Sequence, residues 1–338
     1  VDFRLDETEP RLVVEATIEN GQPPVVTLSR SLSFFTTIDL QALSSSFVHD
    51  AEVTVSNGIR THRLREYAVP IAPGIRLYYY STDSTSPATS FLGELNGRYS
   101  LQVRVGGKVY TATTTIPNIT RQVDSVFWRP APAGNPPGKV SFMLAAYDRP
   151  GFGDYIRYFT RRNSEPFLPG FNSVYDDQVI DGTRYTVQVD RGFDRNAPAP
   201  EAAAFFDRGD TVTLKLSNID KATFDFWRTM EFNYVSIGNP FSTPTRVSGT
   251  ISGGALGYFG GYASQFHSLI IPRPFCLFLP NCNFIKRTNV HGADRTYFLF
   301  DHRFRPGRVY GRHLCGPCQS QARPLPRHTA RWSTHDHD

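Results

Sequence analysis

The tetrapeptide Cys315-Gly316-Pro317-Cys318 has the spacing of a redox dithiol, in which a helix N-terminus lowers one thiol's pKa and makes it a nucleophile. That chemistry needs a strand leading into the motif and a helix leading out of it. The residues that follow, QSQARPLPR, carry no helical period and nothing strand-like precedes the motif, so redox catalysis is not expected. Together with Cys276 and Cys282 the four cysteines have two other uses. They can form two local disulfides in an oxidising compartment, or one zinc site, for which the Cys276-x5-Cys282 spacing is wide. The disulfides fit better, and neither a metal nor another cofactor is expected.

A second stretch with chemical potential is GNPFSTPTRVSGTISGGALGYFGGYA, residues 238–263. A phosphate cradle would need GxxxxGK[ST] between a strand and a helix, and the lysine and the following helix are both missing. The dinucleotide-binding spacing fails too, because GGALGYFG opens no helix in an alternating β-α unit. The glycines then serve geometry: close backbone approach, bulges and positive φ in a terminal hairpin. The aromatic residues among them, Phe241, Tyr258, Phe259 and Tyr262, either plug the adjacent core or line a groove, core packing being the commoner fate. Phe241, Tyr258 and Phe259 are kept as ligand-binding candidates. Tyr78, Tyr79 and Tyr80 form the other candidate patch, since three consecutive tyrosines in a strand put at least one on the outer face.

Other constellations have plainer explanations. Arg208-Gly209-Asp210 spells an adhesion tripeptide, yet Gly-Asp before TVTLKL is ordinary turn chemistry. Asp176, Asp177 and Asp181-Gly182 crowd carboxylates without the D-x-[DN]-x-[DN]-G calcium loop, and Asp-Gly reads as a hairpin turn. No G-x-S-x-G elbow or HExxH appears, and before residue 268 the only histidines are His49, His62 and His267. No catalytic residue is assigned.

The elements that must position these residues are mostly strands. RLVVEATI (11–18) and PPVVTLSRS (23–31) flank an Asn-Gly turn, and AEVTVSNGIRTHRLRE (51–66) repeats that design. GIRLYYYST (74–82) follows, then GRYSLQVRVGGKVYTATTTIP (97–117) with Gly106-Gly107 at its turn. After Pro117, VFW and KVSFMLAAY flank a Pro/Gly-rich hairpin loop at 130–138, and DYIRYFTRRN, VYDDQVIDGTRYTVQVD and GDTVTLKLSNI continue the pattern. The exception is 220–237, where Phe226, Trp227, Met230 and Tyr234 recur at helical spacing behind Asp220 as N-cap. The expected fold is mainly β: an N-terminal immunoglobulin- or transthyretin-like antiparallel sandwich over 1–117, a second β-rich domain with one short helix over 118–272, and a poorly ordered Cys/His/Arg-rich tail over 273–338.

Charge narrows the partners. The formal net charge of +5 is carried by the tail, where eleven Lys+Arg meet four Asp+Glu, leaving 25 against 27 before Arg273. A basic face able to neutralise phosphates is missing from the body, so no nucleic acid is expected. No apolar run reaches the length of about 18 residues that a membrane-spanning helix requires.

Five phrases, RLVVEATIENGQPPVVTLSRSLSF, AEVTVSNG, GRYSLQVRVGGKVYTATTTIP, GDTVTLKLSNIDKATFDFW and GNPFSTPTRVSGTISGGALGYFGGYA, occur in that order. They resemble the Bacteroidota family known as domain of unknown function 4249, over about residues 2–271. The resemblance implies an exported outer-membrane or cell-surface lipoprotein, anchored through a lipid attached upstream of Val1, whose partner is a TonB-dependent outer-membrane transporter. It implies a role in ligand capture or uptake without catalysis. The alternatives carried beside it are an extracytoplasmic hydrolase of peptide or glycan and a structural or adhesive surface protein.

Overall fold

The computed structural model describes residues 9–32, 40–195, 202, 204–236, 243 and 245–273. In the first part of the chain, alternation of apolar and polar residues produces the strands. β1 (Leu12–Glu19) buries Leu12, Val14, Ala16 and Ile18 and turns the intervening side chains the other way. The turn at Asn20-Gly21, with Gly21 at φ +73°, returns it as β2 (Val25–Arg30) in antiparallel register. After α1 (Leu40–Ser46), a seven-residue helix that the strand pattern does not predict, come β3 (Glu52–Ser56) and β4 (Thr61–Arg63). Their turn is closed by the Asn57 carboxamide oxygen, which accepts from the amides of Ile59 and Arg60. β5 (Arg65–Ala72) and β6 (Ile75–Ser81) form a hairpin whose Pro70 is tolerated because β5 is a sheet edge. β7 (Arg98–Val105) and β8 (Lys108–Thr115) turn at Gly106-Gly107, both with positive φ.

The second part supplies β9 (Arg121–Pro130), β10 (Lys139–Asp148), β11 (Tyr155–Arg162), β12 (Leu168–Asp176), β13 (Arg184–Val189), β14 (Phe206–Asp207), β15 (Thr211–Ile219), α2 (Lys221–Ser236) and β16 (Leu256–Ile270). β9 and β10 pair across the Pro/Gly-rich loop as the pattern predicts. The Asp181-Gly182 step departs from expectation. Gly182 has φ +67° and the turn is there, but β12 and β13 belong to different sheets, so the step is a corner and not a hairpin.

These strands make a mainly β fold of one eight-stranded sheet, in the order β12-β11-β15-β16-β1-β2-β6-β5, and two four-stranded sheets. The eight-stranded sheet takes strands from both sides of residue 117. One of its faces carries two cores. Val14, Ala16, Ile18, Phe259 and Ala263 pack with Val53, Val55, Leu101 and Val103 of the sheet β4-β3-β7-β8. Leu214, Leu216 and Ile156 pack with Val140, Phe142 and Leu144 of the sheet built on β10. On the opposite face, Phe224 and Phe226 of α2 meet Val174, Tyr258 and Tyr262.

β16 is not half of a terminal hairpin. It is a central strand, antiparallel to β15 and parallel to β1, so the last described strand of the chain lies beside the first. Its glycines follow from that position. At Gly257, whose φ is +101°, a Cβ would come within 2.0 Å of the Val14 carbonyl oxygen on the parallel neighbour. At Gly261 it would come within 2.4 Å of the Thr115 carbonyl oxygen.

Helix α2 starts where its N-cap places it. Asp220 Oδ1 accepts from the Thr223 amide at 2.8 Å, while Oδ2 accepts from Thr114 Oγ1 and the Thr115 amide. Its buried positions are Thr223, Phe224, Phe226 and Glu231. Met230, expected on the packed face, is exposed, because the glutamate one residue on takes the inward position.

Candidate functional site

Alternation along β11 sets two opposite environments. Ile156 and Tyr158 go to the core, while Arg157, Phe159 and Arg161 go to the face that α2 shares. Lys215 on β15, Thr17 and Glu19 on β1, and Tyr258 and Tyr262 on β16 lie on that same face by register. α2 crosses only part of it. Gly260, between the two tyrosines, leaves room for the helix, because a Cβ there would meet Thr223 Cγ2 at 3.0 Å. Beside the helix a cavity of about 460 Å³ remains, lined by Arg157, Phe159, Lys215, Thr17, Glu19, Tyr258 and Tyr262 from the strands with Trp227, Leu168, Pro169, Phe193, Asp194 and Arg195.

The cavity wall alternates cations and rings. The Arg157 guanidinium carbon sits 3.4 Å from the Trp227 ring centroid and 4.6 Å from that of Phe159. The Lys215 ammonium lies 5.5 Å from Phe159 and 5.9 Å from Phe266. Arg157 is 3% exposed. Its Nε donates to Ser173 Oγ at 3.2 Å and its Nη1 to Tyr262 Oη at 3.3 Å, the hydroxyl that also accepts from Trp227 Nε1 at 3.0 Å. Among the described residues no carboxylate lies within ion-pairing distance of it, whereas Lys215 is paired with Glu19 and Arg195 with Glu231. Glu231 is buried behind the wall, taking the Ser173 amide and hydroxyl as well as Arg195. The Tyr258 hydroxyl is held far above the ordinary phenol range by burial and by neighbouring Tyr262, with Arg157 pulling the other way, so it is a neutral hydrogen-bonding group at every working pH. Together these groups can hold an anion against an aromatic wall.

The expected site residues divide. Tyr258 lines this cavity and Phe259, one residue on, is turned to the opposite face and buried in the core at 1% exposure. Tyr78, Tyr79 and Tyr80 lie on β6 and do not line it. Tyr80 is a core residue whose hydroxyl donates to the Val48 carbonyl. Tyr79 stacks on Tyr67 at 5.6 Å, and Tyr78 meets His49 and Phe47 edge-on or tilted. Phe241 and the cysteines Cys276, Cys282, Cys315 and Cys318 lie outside the described residues. Arg157, Lys215, Arg195 and Trp227 were not anticipated as site residues. The signal for Arg157 was present in YIRYFTRRN, whose period of two puts Arg157, Phe159 and Arg161 on one face and apolar Ile156 and Tyr158 on the other.

Carboxylates converge at a second place. Asp148, Asp177 and Asp181 bring one oxygen each within 4.8 Å of one another. Each already has a structural task. Asp177 accepts the Gly153 and Asp154 amides, Asp181 accepts the Gly151 amide, and Asp148 pairs with Arg121 at 3.1 Å with both side chains fully buried. Burial raises the Asp148 carboxyl above its ordinary value, with Arg121 opposing and Asp154, Asp177 and Asp181 adding to the rise. The group ties the 149–154 loop to the 177–182 corner. Asp176, at the end of β12, is not in it. Arg208-Gly209-Asp210 is likewise structural: Asp210 accepts from Arg162, Asn163 and the Asp207 amide at the mouth of β15.

The model of the family described as domain of unknown function (DUF4249) matches residues 1–266. No curated protein matches the chain.

Proposed function

We propose that this chain, which belongs to the domain of unknown function (DUF4249) family, is a non-catalytic ligand-binding protein that works through the cavity beside α2. In this reading it is a lipid-anchored outer-membrane or cell-surface accessory of a TonB-dependent transporter, aiding capture or uptake of the transporter's ligand. One observation carries the binding role: a concave site of about 460 Å³ walled by Trp227, Phe159, Tyr258 and Tyr262, with a buried arginine on its wall that is not ion-paired among the described residues. The location and the partner are motivated by the family resemblance. The hydrolytic alternative needs two converging acids with freedom to exchange protons. Glu19 in the cavity is held by Lys215, and the converging aspartates are committed to backbone amides and Arg121, so binding is favoured over hydrolysis.

The test is isolation of the tagged chain from detergent-extracted membranes of its native host. Co-elution of an outer-membrane transporter is expected, and its loss when the lipid attachment is removed would fit the proposed anchor. Elution of the chain alone, reproduced with chemical cross-linking before extraction, would count decisively against the accessory role.

A further inference from the structure

We infer that the cavity takes an organic carboxylate, with the carboxylate bound to Arg157 and an aromatic or apolar body lying against Trp227, Phe159 and Tyr258. The inference deepens the binding role proposed above and rests on it.

The argument begins with donors. A guanidinium carries five N–H groups and cannot be deprotonated in a protein. Arg157 commits one at Nε to Ser173 and one at Nη1 to Tyr262, and Nη2 makes no hydrogen bond among the described residues. Trp227 stacks on its face, so the remaining N–H groups point sideways in the guanidinium plane, where Arg157 lines the cavity. A buried cation left with unused donors is costly unless a counter-charge arrives with matching acceptors. Nη1 retains one N–H beyond its bond to Tyr262 and Nη2 carries two, donors that a carboxylate can take with both oxygens.

Charge and shape select within the oxyanions. Of the wall's cations Lys215 is paired with Glu19 and Arg195 with the buried Glu231, which leaves Arg157 as the one without a carboxylate within ion-pairing distance among the described residues. One carboxylate balances it, whereas a phosphate monoester dianion would overshoot it and would need donors beyond those of Arg157. Apart from the charged residues, Thr17 and the Tyr262 hydroxyl, the wall is aromatic or apolar: Trp227, Phe159, Leu168, Pro169, Phe193 and Tyr258. The matching ligand is therefore a monoanion with a ring or hydrocarbon body, and its neutral or dianionic analogues fit less well.

Benzoate, benzamide and phenyl phosphate serve as probes of one shape and three charges, titrated against the full chain by calorimetry at neutral pH. Benzoate is expected to bind saturably, and benzamide about tenfold more weakly or worse, the scale of losing one charge-assisted contact. Phenyl phosphate is expected to be no better than benzoate. In Arg157→Gln the preference for benzoate over benzamide should vanish, and in Arg157→Lys it should return in part. The indole N–H resonance of Trp227, assigned with Trp227→Phe, gives a readout in the unmutated protein, because that N–H shares the Tyr262 hydroxyl with Arg157. At equal sub-saturating concentrations it should move further with benzoate than with benzamide, so the test survives even where Arg157→Gln fails to fold. Equal binding of benzoate and benzamide, tighter binding of phenyl phosphate, a preference that persists in Arg157→Gln, or no saturable binding at all would each overturn the assignment. Carboxylate binding that depends on Arg157 in a chain that never co-elutes with a transporter would leave this inference standing while the accessory role fell.

Discussion

His62 sits on β4 at 1% exposure, with Nε2 accepting from the Asp83 amide at 2.9 Å. That acceptor role requires the other nitrogen to carry the proton, so Nδ1 donates to Thr89 Oγ1 at 2.8 Å. The neutral ring is the one that fits, and burial lowers the His62 pKa, with Asp83 partly opposing. A lowered folded pKa means that the unfolded chain binds more protons below its own histidine pKa of about 6.5. Stability from His62 is therefore complete above that pH and is lost as pH falls toward the folded value. His267, lowered by burial, acts in the same direction. Urea midpoints should drop between pH 7.5 and 5.5, and the drop should be smaller in His62→Gln; an unchanged slope in that variant would refute the assignment. Whether a residue was readable from sequence depended on how far away its partners lie. For the aromatic residues of GYFGGY the sequence favoured the core over a groove, and strand alternation divides them, Tyr258 to the cavity and Phe259 to the core. Arg157 gave only a local alternation, since Ser173, Tyr262 and Trp227 come from three other elements.

Helix α2 was legible as an element because its determinants are local: an N-cap aspartate and aromatic residues at helical spacing. Its attachment was not, because the same carboxylate reaches Thr114 and Thr115, more than a hundred residues earlier in the chain. Asp220 thus joins the start of the helix to the end of β8, and the helix in turn supplies Trp227 to the cavity wall. Asp220→Ala removes a cap, worth about 1 kcal/mol, and strands the Thr115 amide, worth about another 1–3 kcal/mol where water does not replace the lost acceptor. The expected loss is about 2–4 kcal/mol in urea unfolding, with Asp220→Asn losing less because its side-chain oxygen still caps Thr223. A loss in Asp220→Ala of about 0.5 kcal/mol, the size of an ordinary surface change, would show that the tie to β8 contributes nothing. The same contrast applies to the hairpins. Asn20-Gly21, Asn57-Gly58 and Gly106-Gly107 announce their turns, whereas the corner at Asp181-Gly182 carries an equal signal and joins strands of different sheets.

At the scale of the molecule, Pro117 divides the sequence into two strand-rich halves but does not divide the hydrogen bonding. β1 pairs in parallel with β16 over seven residues, from Val13 opposite Leu256 to Glu19 opposite Tyr262. Parallel pairing of distant segments leaves no turn between them in the sequence, so periodicity could identify both strands and still be silent about their adjacency. The energetic consequence reaches both halves. Without β16, the first half loses Phe259 and Ala263 from its core. Without β1, the second half exposes a long unpaired β16 edge and the apolar side chains that β1 and the smaller sheet cover, a template for aggregation. Residues 9–273 all fall in one compact unit, Val1–Leu277. Residues 1–273 should therefore unfold in one cooperative transition by circular dichroism and by tryptophan fluorescence alike. Residues 118–273 expressed alone should be insoluble or lack a cooperative melt. The cavity should be lost with them, since Thr17 and Glu19 of β1 line it and Glu19 holds Lys215. Two resolved transitions in the longer chain, one of them reproduced by residues 118–273 alone, would show instead that the halves are independent and that β1 is an attachment to a sheet complete without it.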